Sequence, residues 1–157
     1  MSIVVLDTML FLLMVVGLTS PRYIFNHKRL RNKRYSEQDF TLLGSLISQA
    51  DNVIVTPNTC TETSNWLKHG YIGDPARTQI CTVFQNLVGQ SQEQYVTSTQ
   101  ASQRMEFVRL GVTDSVLLEV AAKNPCTLLT DDLPLYIAAS AQGYKVVFFT
   151  HLRETIL

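Results

Sequence analysis

Apolar residues along the chain come in short blocks divided by polar, turn-forming stretches, and the blocks are of two kinds. Ile3 to Leu6 is brief and β-branched, as a strand buried on both faces requires, and the longer run from Thr8 to Leu18 reads as the helix this strand feeds. Residues 19 to 35 form a polar, basic connection. Ser36 then starts a helix with Glu37 and Asp39 in its first turn, where negative charge suits the helix dipole, and with Phe40, Leu43, Leu46 and Ile47 on one face. Val53 to Val55 is a second strand, Thr56-Pro57 opens a helix carrying Glu62, Asn65 and Trp66, and the stretch from Gly70 to Pro75 breaks it. Ile80, Val83, Phe84, Leu87 and Val88 recur at three- and four-residue spacing, the mark of an amphipathic helix.

Further on, Tyr95 to Thr97 reads as a short strand, Ala101 to Leu110 as a weak helix and Gly111 as a break. Thr113-Asp114 caps an apolar helix to Lys123, Cys126 to Thr130 is a strand, Leu133 to Gln142 is a helix closed by Gly143, and Lys145 to Phe149 is a last strand. Strands and helices alternate at both ends, with no Gly/Ser linker and no internal repeat. The pattern predicts one domain over residues 1–157, an α/β three-layer sandwich around a mostly parallel central sheet.

Composition agrees with a single packed core, since 46% of the 157 residues are apolar and 17% charged, which excludes a disordered or fibrous chain. The 13 Lys+Arg balance the 13 Asp+Glu, so no global field draws nucleic acid, and a polyanion site has to come from local clustering or from metal ions. Cys60, Cys81 and Cys126 make no CxxC or Cys/His pairing, so neither a disulfide framework nor a zinc site is expected, and a reducing cytoplasm is the expected compartment.

The apolar opening invites comparison with a signal peptide or anchor. Nothing basic precedes Arg22, and the uninterrupted run after Thr8 is about half the roughly 20 residues a spanning helix needs. The basic cluster of Arg22, Lys28, Arg29, Arg31, Lys33 and Arg34 would suit a reverse anchor. A buried strand and a buried helix fit better, and no membrane partner is expected.

Asp7 is then the residue that most needs a reason, because a carboxylate inside a core-forming run costs several kcal/mol unless paired, ligated or at the open end of a strand. Placed on the expected elements, Asp7 ends the first strand, Glu62 lies in the helix entered from the second, Asp114 opens a helix, and Asp131 and Asp132 follow the strand ending at Thr130. Ligands of open parallel sheets bind beyond the carboxyl ends of the strands, the edge to which these segments deliver their acids. Acids gathered there repel one another unless a cation neutralises them, and oxygen-only ligation favours Mg²⁺ or Mn²⁺ over zinc. Singly, Asp114, Asp131 and Asp132 also read as helix caps or first-turn acids and Glu62 as a helix-surface acid. Their joint placement carries the metal reading.

Val5-Leu6-Asp7-Thr8, the segment from Val55 to Asn65 with Glu62, Leu110-Gly-Val-Thr-Asp114 and Leu129-Thr-Asp-Asp132-Leu-Pro-Leu together resemble, in order and over essentially the whole chain, the PIN-domain family of metal-dependent ribonucleases. The resemblance implies a single PIN-like domain with Asp7, Glu62, Asp114 and Asp132 as the acidic quartet. Asp132 takes the last place because Thr130 supplies the Thr of the family's Thr-x-Asp, and Asp131 stands beside it as a further metal ligand. The interval from Asp7 to Glu62 is longer than in compact members, with the excess in the connection 19–35. One position departs from the family: Met9 stands where a polar Asn or Ser is common, removing a group that orients the metal or its water.

By resemblance the expected activity is hydrolysis of phosphodiester bonds in single-stranded RNA with Mg²⁺ or Mn²⁺, as an endoribonuclease of the kind found as the toxin of a toxin-antitoxin pair. The expected partners are RNA, an antitoxin protein and a second copy of the chain, with the basic run 22–34 guiding RNA or meeting an acidic partner. Asn65, one turn past Glu62, is placed to add a hydrogen bond behind the ligands, and His27, His69 and His151 are expected to play no catalytic part. A phosphatase with an aspartyl nucleophile would want a second Asp at position 9, where Met9 cannot serve. A non-catalytic PIN-like module that binds RNA or protein is the alternative of a different class.

Overall fold

The shortest apolar runs become the sheet. The computed structural model describes residues 3–155 of the expected domain, and residues 1, 2, 156 and 157 lie outside the described residues. Strands β1 (Ile3–Leu6), β2 (Asn52–Val55), β3 (Gln92–Glu93), β4 (Thr127–Thr130) and β5 (Val146–Phe148) pair in parallel throughout, in the order β3-β2-β1-β4-β5. β1 sits at the centre, with Val4 opposite Val53 on one side and Thr127 on the other.

Successive side chains of these strands point to opposite faces, and each face is covered. Val4, Leu6, Val55 and Leu129 pack with α1 (Thr8–Thr19), α2 (Tyr23–Asn26), α3 (Lys28–Asn32), α4 (Glu37–Ser48), α5 (Pro57–Asn65) and α6 (Ala76–Gln90). Val5, Ile54 and Leu128 pack instead with α7 (Ser98–Ser102), α8 (Phe107–Lys123) and α9 (Leu133–Ala141). A short α10 (Phe149–Glu154) follows β5. The result is the expected α/β three-layer sandwich, with an all-parallel sheet.

The apolar opening resolves into β1 and a helix buried on all sides. Leu10, Phe11, Leu12, Leu13, Val15 and Val16 of α1 are fully buried, which is why the run shows no polar face. α1 lies so close to α4 that a Cβ on Gly17 would meet the Phe40 ring at 2.2 Å. Among the described residues no helix is long and apolar enough to cross a membrane. The cysteines are free thiols.

Four elements differ from the sequence reading. The connection 19–35 is structured: α2 and α3 are held by fully buried His27, whose Nδ1 accepts from the backbone N–H of Arg29 and Leu30 and whose Nε2 donates to the Trp66 carbonyl at 2.7 Å. The strand expected at Tyr95–Thr97 lies earlier, at Gln92–Glu93, because those residues match the C-terminal end of β2; beyond them Tyr95 has left the edge and is 75% exposed. The helix expected from Ala101 to Leu110 is interrupted by a turn that Arg104 holds through Glu106 at 3.2 Å and Glu119 at 2.5 Å. The last strand stops at Phe148, since Phe149 turns into the core to begin α10. The break at Gly111 is present, as a residue with φ 85° and ψ 179° inside α8.

Candidate functional site

The chain leaves β1 toward β2 on one side and returns through β4 on the other, so strand order reverses between β1 and β4. A crevice opens at such a point beyond the carboxyl ends of the strands. Here it is a cleft of about 650 Å³, and Asp7, Glu62, Asp114, Asp131 and Asp132 all line it.

Asp7 leaves β1 at this edge and caps α1. Its Oδ1 accepts the Leu10 N–H at 2.9 Å, while Oδ2 accepts the Thr130 hydroxyl at 2.6 Å and the Asp131 N–H at 2.8 Å. Burial nevertheless dominates and pushes its carboxyl up to about 6, against these hydrogen bonds and with the Asp131 charge adding to the rise. Thr130 also accepts the Asp132 N–H at 3.0 Å, so one hydroxyl at the end of β4 fixes Asp7 and the chain at Asp132 together. Asp132 caps α9 by accepting the Leu135 N–H on Oδ1 at 3.1 Å.

Glu62 comes from α5 and takes a hydroxyl on each oxygen, Thr8 at 3.1 Å and Thr113 at 2.7 Å. These bonds tie α5 to the starts of α1 and of the helical stretch after Gly111. Asp114, next to Thr113, receives no such bond among the described residues. Burial, then the negative charges of Asp132, Asp7 and Glu62, push its carboxyl up to about 7. The four segments therefore deliver their acids to one cleft.

Asp131 borders the cleft but is turned to other work. Its oxygens accept the Tyr35 hydroxyl, the Thr150 hydroxyl and the Thr150 N–H at 2.8 Å, and Arg153 lies 3.6 Å away. With both oxygens committed, Asp131 is a poor metal ligand; its contribution to the site is the backbone N–H on Asp7 and the docking of α10. Asn65 is exposed and does not border the cleft, and none of the three histidines does.

Met9 lines the cleft with a thioether. Several participants have little or no sequence signal. Thr8 and Thr113 are hydroxyls immediately beside acids, a hint that adjacency alone offers; Tyr35, Thr150 and Arg153 come from remote segments. Of the basic run, Arg29 and Lys33 line the cleft, and Arg22, Lys28, Arg31 and Arg34 do not.

Among the described residues no three His, Cys, Asp or Glu side chains form a ready-made ion cage. The donor chemistry still fits a hard divalent ion: among the described residues Asp114 has both oxygens free of hydrogen bonds, Asp132 keeps Oδ2, and Oδ1 of Asp7 and both oxygens of Glu62 accept one hydrogen bond each and keep a second lone pair. Compared with known proteins, the chain matches no family model, and no curated protein or solved structure gives a significant match.

Proposed function

We propose that the protein is a cytoplasmic Mg²⁺- or Mn²⁺-dependent endoribonuclease acting on single-stranded RNA. One observation carries the reading: Asp114 is held up to about 7 by burial and by the charges of Asp132, Asp7 and Glu62, in a cleft at the strand-order reversal of a parallel sheet. A carboxyl buried first of all, and set beside other acids as well, is unfavourable in its charged form unless a cation offsets it. The likeness of the four acidic segments to the PIN-domain pattern supports the same reading.

Asp114 and Asp132 would hold the ion, with Asp7 and Glu62 completing the set. When bound there, a divalent ion supplies an activated water and offsets charge on the phosphate as the leaving 3′-oxygen departs. The protein's own part is placement: Thr130 holds the Asp7 carboxylate at the start of α1, and Thr8 and Thr113 fix Glu62 in the same cleft. Purified protein is expected to cleave single-stranded RNA with Mg²⁺ or Mn²⁺, to stop in EDTA and to lose activity in Asp114→Asn. Inactivity across diverse RNAs with intact binding would instead favour a non-catalytic module, a reading that the apolar Met9 in the cleft supports.

A further inference from the structure

Cationic and aromatic side chains share the cleft with the acids. Arg29 and Lys33 from the α3 region, Tyr35, Trp66 and Arg153 all border it. Arg153 is spent, lying 3.0 Å from Asp39 and 3.6 Å from Asp131. Arg29 and Lys33 share the cleft with the acids yet form no ion pair with any carboxylate among the described residues.

Arg29 is held by stacking instead. Its guanidinium carbon sits 3.9 Å from the centre of the Trp66 ring, and its Nε is buried without a hydrogen-bond partner among the described residues. The mount beneath it is rigid. Buried His27 joins the start of α3 to the Trp66 carbonyl at 2.7 Å, and the Lys28 N–H donates to the Tyr71 carbonyl at 2.9 Å. A half-buried guanidinium ordered by stacking and with a donor unused is suited to an anion, and its planar face to an unstacked base.

We infer that Arg29, stacked on Trp66, and Lys33 form the wall that binds the sugar-phosphate strand beside the acids, and that they select single strands. This rests on the cleft taking RNA, as proposed above. The acids repel a phosphate chain, and the two unpaired cations lining the same cleft are suited to hold it. A duplex would keep its bases stacked away from the Arg29 face, whereas a single strand can turn one onto it.

Trp66 is the single tryptophan of the sequence, so its fluorescence reports the wall directly. The titrant is a short oligouridylate, added with Mg²⁺ to protein carrying Asp114→Asn so that cleavage is blocked. A saturable change in Trp66 emission is expected. Adding Arg29→Ala or Lys33→Ala should weaken binding at least fivefold and flatten the salt dependence by ~0.7 in log–log slope for each phosphate no longer neutralised. Arg29→Lys should keep the slope and lose affinity, since it keeps charge without the flat face; a blunt-ended RNA duplex should compete poorly. Thermal melts of each variant control for folding.

Affinity and slope unchanged in both Arg29→Ala and Lys33→Ala would overturn the inference, as would equal competition by duplex. Cleavage assays in the otherwise unaltered chain separate this from the nuclease reading. Metal-dependent cleavage with KM unmoved by either substitution removes the wall and leaves the nuclease. Binding that depends on Arg29 and Lys33 with no cleavage under any metal leaves the wall and removes the nuclease.

Discussion

Burial is the main upward pull on both Asp7 and Asp114, but their hydrogen bonds differ, and substitution should separate them. Asp7 accepts three hydrogen bonds, two of them from backbone N–H groups on opposite oxygens. An asparagine has one acceptor oxygen, so Asp7→Asn must turn an amide N–H toward Leu10 N–H or Asp131 N–H and leave that donor unsatisfied. The loss should outweigh the relief of a buried charge and destabilise the protein by about 1–3 kcal/mol, measured by denaturant unfolding in EDTA. Asp114 has no such bonds to lose. Asp114→Asn is expected to fold as well as the unaltered chain or better when metal is absent, and to abolish metal-dependent cleavage. If both substitutions destabilise alike, the distinction drawn between cap and free acid fails.

Gly111 is the element-level counterpart. With φ 85° and ψ 179° it occupies a region essentially closed to other residues, and it re-aims the chain so that Thr113 and Asp114 meet Glu62 and the cleft. A Cβ there meets no neighbouring atom, so Gly111→Ala should act through the backbone alone, costing about 1–3 kcal/mol. Activity should fall further than stability explains, because Asp114 moves; a variant with unchanged stability and cleavage would show the turn to be incidental.

The elements that place the acids are those most legible in the sequence. β1 and β4 are β-branched or apolar throughout and β2 is so after Asn52, Thr56 and Asp132 cap their helices as the pattern implies, and Asp7, Asp131 and Asp132 directly follow strand ends. β3 escapes the pattern because an edge strand of two residues is set by the register of its neighbour and carries no hydrophobic periodicity of its own. α10 is equally hidden, since it depends on Thr150 reaching Asp131 from a segment far away in the chain. The same holds for the committed oxygens of Asp131 and for the Arg29–Trp66 stack, because local pattern does not reveal which basic residues of the run 22–34 face inward.

At the scale of the whole molecule, the buried acids in the cleft link stability to pH. The Asp7 and Asp114 carboxyls, ordinarily near 3.8, are raised to about 6 and about 7 in the folded protein. The unfolded chain therefore releases these protons first as pH rises, so their contribution favours the folded state below about pH 4 and is lost between about pH 4 and pH 7. His27 works the other way: burial lowers its pKa below the ordinary 6.5, so its contribution is present above 6.5 and lost as pH falls. Comparing the unaltered protein with Asp114→Asn at each pH cancels His27 and isolates the acid cluster.

The most direct measurement is thus the melting temperature of these two proteins from about pH 5 to about pH 8, in EDTA and with Mg²⁺ or Mn²⁺. In EDTA the variant should melt higher than the unaltered chain, by a margin that widens as pH rises. With the metal, the unaltered chain should gain stability and overtake a variant that gains little. Equal response of the two proteins to metal at every pH would contradict a cation site built on Asp114.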